Sequence, residues 1–347
     1  MREITRPPTA RCTLATYVSF ILSTPHSPTC YGLGAVINIS HDSVNRFLLR
    51  EDYTPRDLFN EIRTDLNLKG GTVSVDDSVL DKPYSHLIAF VGHFWSGKHH
   101  RVVKGINLIT LYYTDPHGHH QPVNYRIYDK TENKTKNDYF QEMLVEVLAW
   151  GLEPAWVTGD SWYSSLENLK MVKEHHQGFL FALESNRLVS IEKGQWSQVQ
   201  QLTIPEDGLC VYLRGFGTVK VFRQWLKDTP RHYALYQSND EAWATFDGVA
   251  FRNLHDQHWQ IEQYHRTLKQ VCHIEHFQVR QPTAIRNHVF AAICSYVQLQ
   301  RLRVNDVIRN CYQLKRGLFN EVIAAFIGTF TPRLDHLNPQ FPSPVNA

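Results

Sequence analysis

The sequence predicts an α/β chain: a mixed sheet flanked by helices, with an all-β insertion and a helical N-terminal region. Three observations carry this. After Gly70-Gly71 the pattern switches from helical apolar spacing to three successive strand-like runs. Helix, short apolar strand, helix and strand then alternate with short links, as β-α-β units do. From Asn186 to Ser238 the texture changes to short strands broken by Gly, Pro and charged residues, before two long helical stretches.

The elements follow in order. Arg11–Leu22 has helical apolar spacing and stops at Pro25. Ser40 caps a second helix through Val44, Phe47 and Leu48. Thr54-Pro55 is a cap followed by proline at the first helical position, opening a helix with Leu58, Phe59 and Ile62 on one side. Such short helices suit either a DNA-reading helix-turn-helix module or a plain bundle. Thr72–Leu80, Lys104–Thr114 and Gln121–Tyr128 read as strands, the last two joined by a turn at Asp115–Gly118. Asp138–Trp150 reads as a helix, Ala155–Thr158 as a short buried strand, Ser164–His176 as a helix and Gly178–Leu183 as a strand. Within the insertion, Val189–Ile191, Gly208–Arg214, Gly217–Phe222 and His232–Tyr236 are strand candidates. Helices are expected from Asn253 to Cys272 and from Thr283 to Arg303, with a loosely ordered tail after Pro332. The expected divisions are 1–70, helical; 71–185 with 239–305, the α/β body; 186–238, the insertion; and 306–347, a helix and tail.

Bulk composition narrows the function. The 347 residues are 42% hydrophobic and 20% charged, ordinary for a chain with a sizeable core. A net charge of +2 means that any polyanion must be met by local basic runs, such as Lys98-His99-His100-Arg101 with Lys104. The six cysteines have no Cys-x-x-Cys spacing, which points to a reducing, cytoplasmic setting. Val289–Val297 is too short to span a bilayer, so no membrane partner is expected. The 19 histidines contain no His-Glu-x-x-His and no zinc-finger spacing.

Three carboxylates stand where phosphoryl chemistry would want them. Asp77 lies in the strand Val75-Asp76-Asp77-Ser78-Val79, although aspartate is a poor strand former. Asp160 ends a short strand just before a helix, where side chains of an α/β sheet converge on a ligand crevice. Glu262 lies on the helix that follows the insertion. Each has a mundane reading as well: a turn aspartate, a helix cap, a solvated helix face. Together they could form an oxygen-rich cage for Mg²⁺ or Mn²⁺. Residues 75, 77 and 79 share one strand face and 74, 76 and 78 the other, and the sequence does not say which face looks at the crevice.

The order of elements and three local words resemble the insertion-sequence transposases with an Asp-Asp-Glu triad, specifically the fourth insertion-sequence family and its relatives. The words are Asp76-Asp77-Ser78, Thr158-Gly159-Asp160-Ser161-Trp162-Tyr163, and Ile261-Glu262-Gln263-Tyr264-His265-Arg266-Thr267-Leu268-Lys269. The resemblance covers roughly residues 70–305. It implies an RNase H-like catalytic domain with a β-rich insertion. Asp77, Asp160 and Glu262 are then the catalytic acids and hold two divalent ions, Mg²⁺ or Mn²⁺. The family's flanking Tyr, Arg and Lys positions fall on His255, His258 and Lys269, so two of the three depart from the pattern.

On one helix face, His255, His258, Arg266 and Lys269 become expected contacts to the DNA backbone beside Glu262. Trp259 either stacks on a base or, the favoured reading, packs against the sheet. The implied activity is cut-and-paste DNA transposition: hydrolysis at the element end, a hairpin intermediate and strand transfer. The implied partners are double-stranded DNA, both terminal inverted repeats and target, and a second copy of the chain in a homodimer on DNA. The setting would be prokaryotic and nucleoid-associated. The competing expectations are a metal-dependent nuclease of the same fold and a domesticated DNA-binding protein without catalysis.

Overall fold

In the computed structural model, residues 11–192, 194–238 and 245–329 are described. The first ten residues and the proline-rich tail therefore lie outside the described residues. Four helices come first: α1 (Leu14–Ser23), α2 (Cys30–Ile37), α3 (His41–Arg50) and α4 (Pro55–Ile62). Side chains of Thr13, Thr29, Ser40 and Thr54 each accept a backbone N–H at a helix start. At Thr54 the carboxylate of Asp57 returns the bond, completing a capping box that the sequence only half announced.

The sheet begins with β1 (Thr72–Asp81), β2 (Gly92–Ser96), β3 (Arg101–Thr114) and β4 (His120–Ile127). Helix α5 (Lys136–Ala149), strand β5 (Trp156–Gly159), helix α6 (Leu166–Glu174) and strand β6 (Gly178–Leu183) follow. Strand β1 runs antiparallel to β3 and parallel to β5, and β5 is parallel to β6. Strand β4 pairs with the other edge of β3. The order β4-β3-β1-β5-β6, with only β3 reversed, is that of an RNase H-like sheet.

Strand β2 was not foreseen, because Gly92–Ser96 is short and carries a histidine and a tryptophan on its exposed positions. The insertion comprises β7 (Leu188–Ser190), β8 (Ser197–Gln198), β9 (Leu209–Leu213), β10 (Gly217–Leu226) and β11 (Thr229–Tyr236). It does not form a separate sheet. Strand β11 pairs antiparallel with β6, so the inserted strands continue the central one.

Three helices complete the described chain: α7 (Gly248–Gln270), α8 (Pro282–Val304) and α9 (Gln313–Thr329). One apolar core joins the N-terminal helices to the sheet and to α8. Polar contacts lock the same interface. Tyr17 Oη lies 2.9 Å from His288 Nδ1, and Asn287 Nδ2 donates to the Leu48 carbonyl at 2.7 Å. Tyr53 stacks on Phe290 with ring centroids 4.5 Å apart, and Arg301 pairs with Asp65 at 2.8 Å. Helices α1 and α3 thus pack against α8, while α2 packs on α3 and α4 lies mainly over β4. No described helix is long and apolar enough to cross a membrane, and the six cysteines are free.

Candidate active site

Strand parity sorts the two adjacent aspartates. Ser74 is the register partner of Thr158 across β1 and β5, and their hydroxyls meet at 2.8 Å. Side chains two residues further along therefore share that face: Asp76 on β1, and Asp160 just past the end of β5. Helix α7 lies across this face. His258 Nδ1 reaches Thr158 Oγ1 at 3.1 Å, and His265 Nδ1 reaches Asp76 Oδ2 at 3.4 Å. Glu262 stands one turn from each histidine on the same side of the helix, so it projects between them toward Asp76.

Asp77 points the other way, toward α5. Its Oδ2 accepts from Lys136 Nζ at 2.7 Å and from Asn107 Nδ2 at 2.5 Å, and its Oδ1 accepts from the buried Tyr163 hydroxyl at 3.0 Å. The structure thus separates Asp77 from Glu262 by the thickness of the sheet. It puts Asp76, not Asp77, on the face that α7 covers. The local word could not decide between them, because the choice depends on which face α7 covers.

Gly159 is needed where it stands. A Cβ there would lie 2.5 Å from the Phe181 ring and 2.8 Å from Val75, so only glycine lets β5 sit this close to its neighbours. Asp160 follows at the strand end and caps a short 3-10 turn, its Oδ1 accepting from the Trp162 N–H at 2.9 Å. The capping role and a place on the Asp76 face therefore coexist.

The electrostatics agree with the parity. Close packing around Asp160 and the charges of Asp76 and Asp77 raise its carboxyl to about 7, although the residue remains open to solvent. Desolvation and the charge of Asp76 likewise raise Glu262 to about 7, opposed by Arg231 and Arg266. Burial works against ionisation of Asp76 too, but the hydrogen bond and charge of His265 and the N–H of Asp77 outweigh it, holding its carboxyl low. Among the described residues, no three side chains are drawn together tightly enough to grip a metal ion as they stand. The donor set still fits a hard cation. Asp160 and Glu262 have their proton affinity raised by burial and by the neighbouring charge of Asp76, which a divalent charge would relieve.

The expected DNA contacts on α7 fare unevenly. Lys269 does not face outward: its Nζ donates to the Val79 carbonyl at 2.7 Å, and burial lowers its proton affinity. It ties α7 to β1. His255 bonds to the Tyr233 hydroxyl at 3.1 Å, and burial depresses its protonation. His258 is pushed down to about 4 by burial, so it is a neutral partner of Thr158 rather than a cation. Arg266 is open to solvent and close enough to Glu262 to favour its ionised form. Trp259 is 46% exposed and not packed against the sheet as expected. Sequence reasoning assigned no role to Asp76, His265, Lys136, Tyr163 or Arg231. Asp76 and His265 had signals: Asp76 stands in the Asp76-Asp77-Ser78 word whose two faces the sequence left open, and His265 lies seven residues after His258 on the same helix face.

Comparisons with known proteins bear on this arrangement. The family model described as a transposase DDE domain matches residues 69–298, more than half of the chain. No curated protein matches the chain in sequence. Among solved structures, a piggyBac transposase synaptic complex with hairpin DNA is similar at a TM-score of 0.49 and 16% identity. That match covers 96% of this chain and 76% of the other. A Drosophila P element transposase strand transfer complex is similar at a TM-score of 0.30 and 11% identity, covering 55% of this chain and 49% of the other. On the family match, this chain belongs to the DDE transposases, the polynucleotidyl transferases of DNA transposition.

Proposed function

We propose that this transposase cuts and joins DNA strands at Asp76, Asp160 and Glu262, with Asp77 as a structural carboxylate behind them. The observation that carries the reading is the shared face: Asp76, Asp160 and the α7 residues around Glu262 converge on one side of the sheet. Asp77 is saturated by three donors on the other side. DDE transposases generally use divalent metal ions, and the finer expectation here is two Mg²⁺ or Mn²⁺ ions among these acids. Such ions, when bound, activate the attacking oxygen and neutralise the leaving one.

This chain's own groups do the rest. His265 fixes the Asp76 carboxylate and keeps it ionised. The Trp162 N–H orients Asp160. Arg266 and Arg231 bring positive charge to the rim beside Glu262, where an anionic backbone would pass. Exposed Trp259 stands on the same rim and suits a base.

The substrate is double-stranded DNA, first at the ends of the element and then at its target. Two ends must be handled together, so a homodimer on DNA belongs to this reading. A hairpin intermediate rests only on the family resemblance.

The test compares Asp76→Asn with Asp77→Asn in Mg²⁺-dependent cleavage of element-end DNA. The expected result is that Asp76→Asn, Asp160→Asn and Glu262→Gln each lose cleavage by a thousand-fold or more, on the order of 4 kcal/mol in transition-state terms, and still bind the ends. Asp77→Asn keeps cleavage at temperatures where it stays folded. Cleavage by Asp76→Asn at the normal rate would remove Asp76 from the site.

A further inference from the structure

Behind the three acids lies a second set of three polar side chains. Ser74 precedes Asp76 by two residues on β1, Thr158 on β5 precedes Asp160 by two, and His258 precedes Glu262 by one turn of α7. They form a chain: Ser74 Oγ lies 2.8 Å from Thr158 Oγ1, which lies 3.1 Å from His258 Nδ1. Ser74 and Thr158 are each 1% exposed. Polar groups buried between a helix and a sheet cost stability unless they satisfy one another, and an apolar trio would pack there as well. What the chain provides, and an apolar contact does not, is direction. A hydrogen bond weakens steeply once its angle is lost.

The two layers are matched in spacing. Two residues along a strand advance about 6.6 Å, and one helical turn of four residues advances about 6 Å. Helix α7 runs the same way as β1. The Thr72 hydroxyl donates to Gln257 Oε1 at 2.5 Å, His265 Nδ1 meets Asp76 Oδ2 at 3.4 Å, and Lys269 Nζ donates to the Val79 carbonyl at 2.7 Å. A registration fixed at Ser74, Thr158 and His258 is therefore carried forward almost unchanged to Asp76, Asp160 and Glu262. The strands need no such device, because β1 and β5 are joined by their backbone ladder. Helix α7 does need one: it is moored to β1 at several points and to β5 through His258.

We infer that Thr158 is a positioning residue: through its bonds to Ser74 and His258 it sets the rotation and height of α7 over β5, and so the distance between Glu262 and Asp160. This rests on the reading of Asp76, Asp160 and Glu262 given above. The three acids carry like charge and do not draw one another in, so the opening between them is the one that the layer beneath allows. A hard divalent ion tolerates little error in the spacing of its oxygen donors.

The test is Thr158→Val, which keeps the shape and removes the hydroxyl, beside Thr158→Ser, which keeps the hydroxyl. Binding of Mn²⁺ is read from the EPR signal of the free ion, in complexes with element-end DNA that has already been cut, so that no reaction intervenes. Thr158→Val is expected to weaken Mn²⁺ binding roughly ten- to a hundred-fold with DNA affinity unchanged, and Thr158→Ser to stay close to wild type. Single-turnover cleavage of uncut ends should follow the same order. Val44→Ala, at a buried position in α3, is the control for lost stability and is expected to bind Mn²⁺ as wild type does. Wild-type Mn²⁺ binding by Thr158→Val, an equal loss in Thr158→Ser, or a matching loss in Val44→Ala overturns the proposal. Asp76→Asn separates this inference from the reading beneath it. Normal Mn²⁺ binding by Asp76→Asn would overturn the assignment of the acids, whereas its loss there with retention in Thr158→Val would overturn the role of Thr158 alone.

Discussion

Lys136 Nζ stands 2.7 Å from Asp77 Oδ2, with both side chains largely shielded from water. This pair joins the first turn of α5 to the middle of β1. It occupies the carboxylate that a linear reading of the Asp-Asp-Ser word would send to the proposed catalytic face.

Removing one partner of that pair strands the other. Asp77→Asn and Lys136→Met are each expected to lower unfolding stability by about 1–3 kcal/mol, since a shielded charge is left without its complement. The double variant should lose less than the sum of the two. Chemical denaturation of the four proteins gives the coupling directly. Strict additivity would mean that the pair contributes nothing.

Gly159→Ala is expected to destabilise the chain by about 1–3 kcal/mol through overpacking, because its methyl group would meet Phe181 and Val75. It should also depress cleavage more than stability alone explains, since Asp160 is the next residue. Thermal denaturation and single-turnover cleavage, compared with a variant of matched stability elsewhere, separate the two effects.

The two cations on α7 should behave differently with salt. Arg266→Ala is expected to reduce the slope of log affinity against log salt for DNA binding by about 1. Lys269→Ala should leave that slope unchanged and lower stability instead, because its ammonium serves the Val79 carbonyl. A reduced slope for Lys269→Ala would put that group on DNA after all.

Lys82 provides a pH signature in the fold. Its ammonium donates to the Glu275 and Phe277 carbonyls at 2.6 and 2.8 Å, and burial lowers it to about 8. Between pH 8 and the usual lysine value the unfolded chain holds this proton and the folded chain releases it. The contribution of Lys82 to stability therefore rises with pH across that window and is flat below it. The stability of wild type minus that of Lys82→Met should climb by on the order of 1–3 kcal/mol from pH 8 to 10.5. A flat difference would show that Lys82 keeps its charge in the folded state.

Much of the molecule was legible before any coordinates. The caps at Ser40 and Thr54, the Asp115–Gly118 turn, the β-α-β alternation and the two long helices depend on local spacing and on residues with strong positional preferences, and each appears within a few positions of its expected bounds. The placement of Asp160 at a strand end and of Glu262 on a helix was legible for a similar reason: both positions are marked by near neighbours. Lys269 and Trp259 were misjudged because helical periodicity assigns a residue to a face but does not say what covers that face. That Asp76 and Asp77 lie on opposite sides of one strand follows from their adjacency alone, since alternation is a property of the extended backbone. Which of them shares a face with Glu262 is set by long-range packing, because α7 crosses β3, β1 and β5 on one side while α5 and Tyr163 close over the other.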